Sequence, residues 1–167
     1  MEYRTPAIYD ATRAILRRLD AVQTRFLKDI GIDEVTALVK FNLAPLATRR
    51  DIAMLGLIHR TALGKGPAQF KKFFRRDPRQ AALHDPRDDS SALITRRSAL
   101  GLAAIYNMLP PSTLAAKSVS AFQRSLQECV VKFALSGYPQ WAEVFSPRIP
   151  LVSHPILIHS QVVTSPM

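Results

Sequence analysis

Residues 48 to 64 read T-R-R-D-I-A-M-L-G-L-I-H-R-T-A-L-G. Wound at 100° per residue, Ile52, Met54, Leu55, Leu57, Ile58 and Leu63 fall on nearly every side, and a helix apolar over most of its circumference belongs inside a core. The stretch is expected to be the central element of the fold. One strip interrupts the apolar surround: Arg49, Ala53, Gly56 and Arg60 share a narrow angular band, with two small residues between two guanidinium groups. The strip admits two readings. Either a second helix crosses at the small residues while the arginines snorkel to water, or a phosphate backbone lies along it, clamped by Arg49 and Arg60.

The 167 residues suffice for one domain with a serviceable core. Lys and Arg number 23 against 13 Asp and Glu, a formal net charge of +10. Arginine carries most of the excess, and its planar fork matches phosphate geometry. The balance therefore favours a polyanionic partner, nucleic acid before membrane. Cys129 is the only cysteine, which excludes an internal disulfide and a thiolate metal site and fits a reducing, intracellular compartment. His59, His84, His154 and His159 have no metal-like spacing, so no metal and no cofactor is expected. The opening M-E-Y-R-T-P lacks an apolar signal core, and no apolar run approaches membrane-spanning length. An unsecreted protein without a membrane partner is expected.

Upstream of the central stretch, Ile8, Ala11, Ile15, Leu19, Val22, Phe26 and Ile30 recur at three and four, which predicts an amphipathic helix over 7–30 with that face inward. Arg13, Arg17 and Lys28 occupy its far side, with Arg18 and Arg25 on the flank, and Gly31 is placed to cap it. Asp33 is the expected N-cap of a short helix through Phe41. Downstream, Pro67 suits the first position of a short helix over 68–74. Gly64-Lys65-Gly66 is no phosphate loop: the G-x-x-x-x-G-K-[ST] pattern is absent, and the glycines follow a helix. Phe70, Phe73 and Phe74 interleave with Lys71, Lys72, Arg75, Arg76 and Arg79. Aromatics at this spacing are ordinarily core, and the alternative is a platform for a single strand.

Residues 77–91 are polar and proline-bearing and read as a loop. Asp88-Asp89 lacks the apolar strands that would make it a catalytic metal pair and reads as a solvated turn. A further helix is expected over 98–109, stopping at Pro110-Pro111, and another from the Ser118 cap to about Leu135, with Val119, Phe122, Leu126, Cys129, Val130 and Phe133 inward. Arg124, Glu128 and Lys132 form a charge ladder on its outer face. Gly137 should cap it, and Trp141 and Phe145 turn back on the core. The prediction is an all-α fold: a single irregular helical domain of about five to six helices over 1–148 around the central helix, followed by an extended tail over 149–167. No carboxylate pair, nucleophile beside a base, or cofactor loop marks a catalytic site.

Several blocks resemble the region downstream of the polymerase palm in non-LTR retrotransposon reverse transcriptases. They are E-Y-R-T-P-A-I-Y at 2–9, L-D-A-V-Q-T-R-F-L at 19–27, F-N-L-A-P-L-A-T-R-R-D-I-A-M-L-G-L-I-H-R at 41–60 and G-K-G-P at 64–67. Y-N-M-L-P at 106–110 and S-V-S-A-F-Q-R-S-L-Q at 118–127 are similar to the W-N-x-L-P and S-x-x-F-K-x-x-L patterns near the end of such reading frames, and W-A-E-V-F-S-P-R at 141–148 also looks familial. Tyr106 stands where Trp is usual. The catalytic aspartate motif, the fingers, the endonuclease domain and the cysteine-histidine knuckle are missing. The resemblance thus implies a thumb-side and post-thumb fragment of an RNA-directed DNA polymerase, inactive alone, that helps hold RNA and DNA, with the nucleus as the compartment the element's life cycle implies.

From charge, Arg49, Arg50, Arg60, Lys71, Lys72, Arg75 and Arg76 are the candidate phosphate contacts, for RNA, DNA or their hybrid. The alternative is a helical module that docks on the polymerase core of a parent protein through a second apolar edge of the first helix, Tyr9, Leu16 and Leu27. A decayed reading frame without selected function is the third reading.

Overall fold

Every regular element of the chain that the structure describes is helical. The structure is a computed structural model that describes residues 8, 9, 11–71, 74 and 98–157. In chain order the helices are α1 (Arg13–Asp29), α2 (Glu34–Phe41), α3 (Leu46–Ala62), α4 (Ala68–Lys71), a 3-10 turn (Ala99–Gly101) running into α5 (Leu102–Met108), α6 (Pro111–Leu114) and α7 (Val119–Leu135). Two further 3-10 turns, Trp141–Glu143 and Leu151–Ser153, follow. No helix among the described residues is long and apolar enough to cross a membrane.

The boundaries follow local chemistry. Asp33 caps α2 by accepting from Thr36 N at 2.8 Å, and Ser118 caps α7 by accepting from Ala121 N at 3.2 Å. Helix α1 starts at Arg13 and not at Ala7, because Thr12 takes extended backbone and its hydroxyl accepts from Ile15 N. Gly31 and Gly137 follow the ends of α1 and α7 with φ of 70° and 72°, where the next amide reaches back five residues to Leu27 O and Phe133 O. Pro110-Pro111 ends α5 and opens α6.

Helix α3 is the centre. Met54, Leu55 and Ile58 are buried on it, α7 packs along it with Phe122, Leu126, Val130 and Phe133 inward, and α5 adds Leu102, Ile105 and Tyr106. Five of its polar residues, Thr48, Arg50, Asp51, His59 and Thr61, are buried as well. His59 has no exposure; its ring stacks on Phe122 with centroids 4.1 Å apart and planes 3° apart. Its Nε2 lies 2.8 Å from the Ala116 carbonyl and its Nδ1 2.9 Å from the Tyr106 hydroxyl. A carbonyl only accepts, so Nε2 carries the proton and Nδ1 accepts from Tyr106.

Two expectations need correction. The face of α1 assigned inward points out: Ile15, Val22, Phe26 and Ile30 are 52%, 64%, 54% and 49% exposed, while Tyr9, Leu16 and Leu27, the expected docking edge, are buried. Both edges are apolar, so polar groups decide the rotation. The Leu16–Leu27 side carries Asp20, which pairs with Arg50 at 2.7 and 3.0 Å, and Gln23, which donates to Ala44 O. Turning the other stripe inward would strand a buried guanidinium without its counterion. Packing also continues past residue 148, since His154 and Ile156 are buried. The packed domain therefore reaches residue 157, and the remainder of the expected tail, like the 77–91 loop and Asp88-Asp89, lies outside the described residues.

Replacing His59 with Leu removes two hydrogen bonds and a ring stack from the centre of the core. The expected loss is about 2–3 kcal/mol in urea unfolding. A loss below about 0.5 kcal/mol would mean that the triad with Tyr106 and Phe122 does not hold α3 in place.

Candidate nucleic-acid interface

The strip on α3 is met by α7. At Gly56 a Cβ would stand 2.5 Å from Gln123 Nε2, so the missing side chain is what lets Gln123 lie across the helix. Gln123 also reaches toward Ile52 O at 3.5 Å. Gly56 thus leaves room for an α7 side chain at the middle of the strip, in line with the first of the two readings.

Toward the N-terminal end of α3 the two helices border an open groove of ≈ 820 Å³. Arg49, Ile52 and Ala53 form one wall, Gln123, Arg124, Gln127, Glu128, Val131 and Lys132 the other, and Asn42 and Leu43 close one end. Among these residues Arg49, Arg124 and Lys132 are cations and Glu128 is the single acid. The Nε2 of Gln127 is buried in this wall without a hydrogen-bond partner, a donor short of an acceptor. A groove rimmed by cations suits a phosphate-bearing strand. Among the described residues no group of three or more His, Cys, Asp and Glu side chains is placed to hold a metal ion.

The candidate contacts separate in space. Arg49 lines the groove, but Arg60, eleven positions along the same helix, is exposed and donates its Nε to Lys65 O at 3.0 Å. Arg50 is withdrawn from the surface set, since it is buried and held in two bonds by Asp20. Lys71 is exposed at the end of α4. Lys72, Arg75 and Arg76 lie outside the described residues. Phe74 is buried and Phe70 stacks on it at 6.0 Å, so these two rings belong to the core and are not strand platforms.

Arg124 and Lys132 were legible only as a ladder. Their spacing on α7 was visible in the sequence, but the identity of the element facing them was not. The single thiol, Cys129, sits half-buried on α7, and burial pushes its pKa up, which is unsuited to a nucleophile.

A second polar cluster lies on the opposite side of α3 and joins the start, middle and end of the chain. The Tyr9 hydroxyl donates to Asp51 Oδ1 at 2.7 Å, Arg148 donates to the carbonyls of Tyr9 and Ala11 at 3.1 Å, and Arg13 forks onto Glu143. The cavity among them measures ≈ 60 Å³, the scale of a few waters, so the cluster is a structural joint and not a substrate site. Burial raises Asp51 to about 7, outweighing the Tyr9 hydrogen bond and the positive charges of Arg50 and Arg148. Burial, and then the Asp51 charge, hold the Tyr9 phenol well above its usual range.

No protein-family model matches this chain, and no characterised protein or solved structure is significantly similar to it.

Because Asp51 is protonated more readily folded than unfolded, the stability it contributes is whole below about pH 4 and is lost as pH rises through about 7. His154, whose pKa burial lowers, acts in the opposite sense, its contribution being lost as pH falls. Subtracting the urea stability of Asp51→Asn from that of the parent isolates Asp51, since His154 is common to both. That difference should fall by about 2–3 kcal/mol between pH 5 and pH 8. A flat difference would show that Asp51 stays ionised in its site.

Proposed function

We propose that this chain grips the sugar-phosphate backbone of RNA, DNA or their hybrid without reading sequence, as the thumb-side part of a reverse transcriptase of the non-LTR retrotransposon type, and that it does no chemistry alone. The observation that carries the binding reading is the groove between α3 and α7, where Arg49, Arg124 and Lys132 surround one volume against a single acid. The net charge of +10 supplies the long-range attraction that would bring a polyanion to it. Arginine forks at two of the three positions suit phosphate oxygens.

The resemblance draws support from the way its blocks meet. Tyr9 from the first block bonds to Asp51 of the R-R-D block. His59, which closes that same stretch, bonds to Tyr106 of Y-N-M-L-P and stacks on Phe122 of the S-V-S-A-F block. Thr48 donates to Ala142 O in the W-A-E-V-F-S-P-R block at 2.6 Å. Segments similar to one family's post-palm region thus pack as one unit around α3. The usual Trp of the W-N-x-L-P pattern could not place a hydroxyl where Tyr106 meets His59.

Fluorescent RNA, DNA and hybrid duplexes titrated across a salt series provide the test. Log affinity should fall linearly with log salt and show little sequence preference. Replacing Arg49, Arg124 and Lys132 together with Gln should lower the magnitude of that slope by about 2–3 and weaken all ligands alike. If a folded triple variant kept both affinity and slope, the groove would not be the binding surface.

A further inference from the structure

We propose that the exposed stripe of α1 seats an amphipathic helix of a protein partner whose seam-flanking positions are acidic. Ile15, Leu19, Val22 and Phe26 are spaced four, three and four apart, the spacing of a heptad seam, and Ile30 extends the line. At 100° per residue they fall within an arc of about 80°, narrow enough for one helix to cover. Ile15, Val22, Phe26 and Ile30 stand open at about half exposure or more, which is unusual for a repeated apolar line.

The two flanks differ in kind. On one side α1 rests on its own domain through Leu16, Leu27 and the Gln23 bond to Ala44 O. On the other run the exposed Arg18 and Arg25, one heptad apart, with Asp29 one turn further on. In a paired helix those are the positions that face the partner's charged flank and set its choice. Glutamates or aspartates opposite Arg18 and Arg25 complete the seam.

A second copy of this chain does not. Antiparallel pairing sets the Arg18–Arg25 flank against its own copy, two arginines to the one acid Asp29, and parallel pairing sets Arg18 and Arg25 against Gln23 and Ile30, so neither arrangement supplies an acid for each arginine. A lipid surface is also a poorer fit, because one flank of the stripe is taken up by the protein's own core and the apolar arc is narrow. The proposal is independent of the groove, whose residues lie on α3, α7 and the α2–α3 connection.

The test uses the full chain and two synthetic helical peptides of about three heptads with identical leucine seams, one flanked by glutamates and one by lysines. The glutamate peptide should bind at least about tenfold more tightly in fluorescence anisotropy. Arg18→Glu with Arg25→Glu should reverse that order, and Val22→Asp with Phe26→Asp should abolish binding of both peptides. All four positions are exposed, so circular dichroism and the urea midpoint should stay those of the parent. Equal binding of the two peptides, or binding of neither, overturns the proposal. So does concentration-dependent self-association lost in Val22→Asp with Phe26→Asp, which makes a second copy the occupant. Binding to phosphatidylserine vesicles that needs Val22 and Phe26, without peptide binding, makes it a membrane surface.

Discussion

A helix buried over most of its circumference must find a partner for every polar group it carries into the core, and α3 carries five such residues: Thr48, Arg50, Asp51, His59 and Thr61. Thr61 solves the problem within the helix, through its own Leu57 carbonyl. The other four look outward, to Ala142, Asp20, Tyr9, and to Tyr106 with Ala116. Apolar surface alone would let neighbouring segments slide and rotate over α3 at small cost. A buried guanidinium or imidazole does not, because losing its partner leaves an unsatisfied charge or dipole in a medium that cannot solvate it. Each of these four residues therefore assigns a segment of chain to one place.

That constraint separates what the sequence displayed from what it concealed. The helices and their stops were legible because their causes are local: Asp33 and Ser118 cap the residues just after them, and Gly31 and Gly137 take a backbone conformation that ends the turn before. The buried faces of α3 and α7 were legible because each has one apolar solution. Helix α1 has two apolar edges, and periodicity ranks them only by count. The smaller edge lies inward because Asp20 and Gln23 accompany it, a choice made thirty residues away by Arg50. Periodicity cannot register a counterion on another helix.

The groove has a similar origin. Gly56 brings Gln123 onto α3, and on the N-terminal side of that crossing the groove opens between Arg49 on one rim and Arg124 and Lys132 on the other. The sequence strip Arg49, Ala53, Gly56, Arg60 contained both ingredients, close approach and positive charge, but on one helix. The structure assigns them to different parts of a helix pair: Gly56 makes room for Gln123, and the charge around the groove is shared between two elements. Arg60 instead secures the turn after α3 through the Lys65 carbonyl. Charge-based selection therefore found one groove cation of three, and the other two depended on which helix faced Arg49.

The tie between Tyr9, Asp51 and Arg148 has a bearing on how the chain comes to be made. Asp51 bonds to a residue 42 positions earlier, Thr48 to one 94 positions later, and Arg148 reaches back 139 positions to the Tyr9 carbonyl. On the ribosome, α1 to α3 emerge well before residues 142 to 148 exist, and through that interval the central helix has one side of its polar load unmet and much of its apolar circumference uncovered. Such long loops also close slowly. Until residues 142 to 148 are translated the central helix thus lacks part of its core, and a ribosome that stalls before Arg148 releases a chain without the contacts that close it.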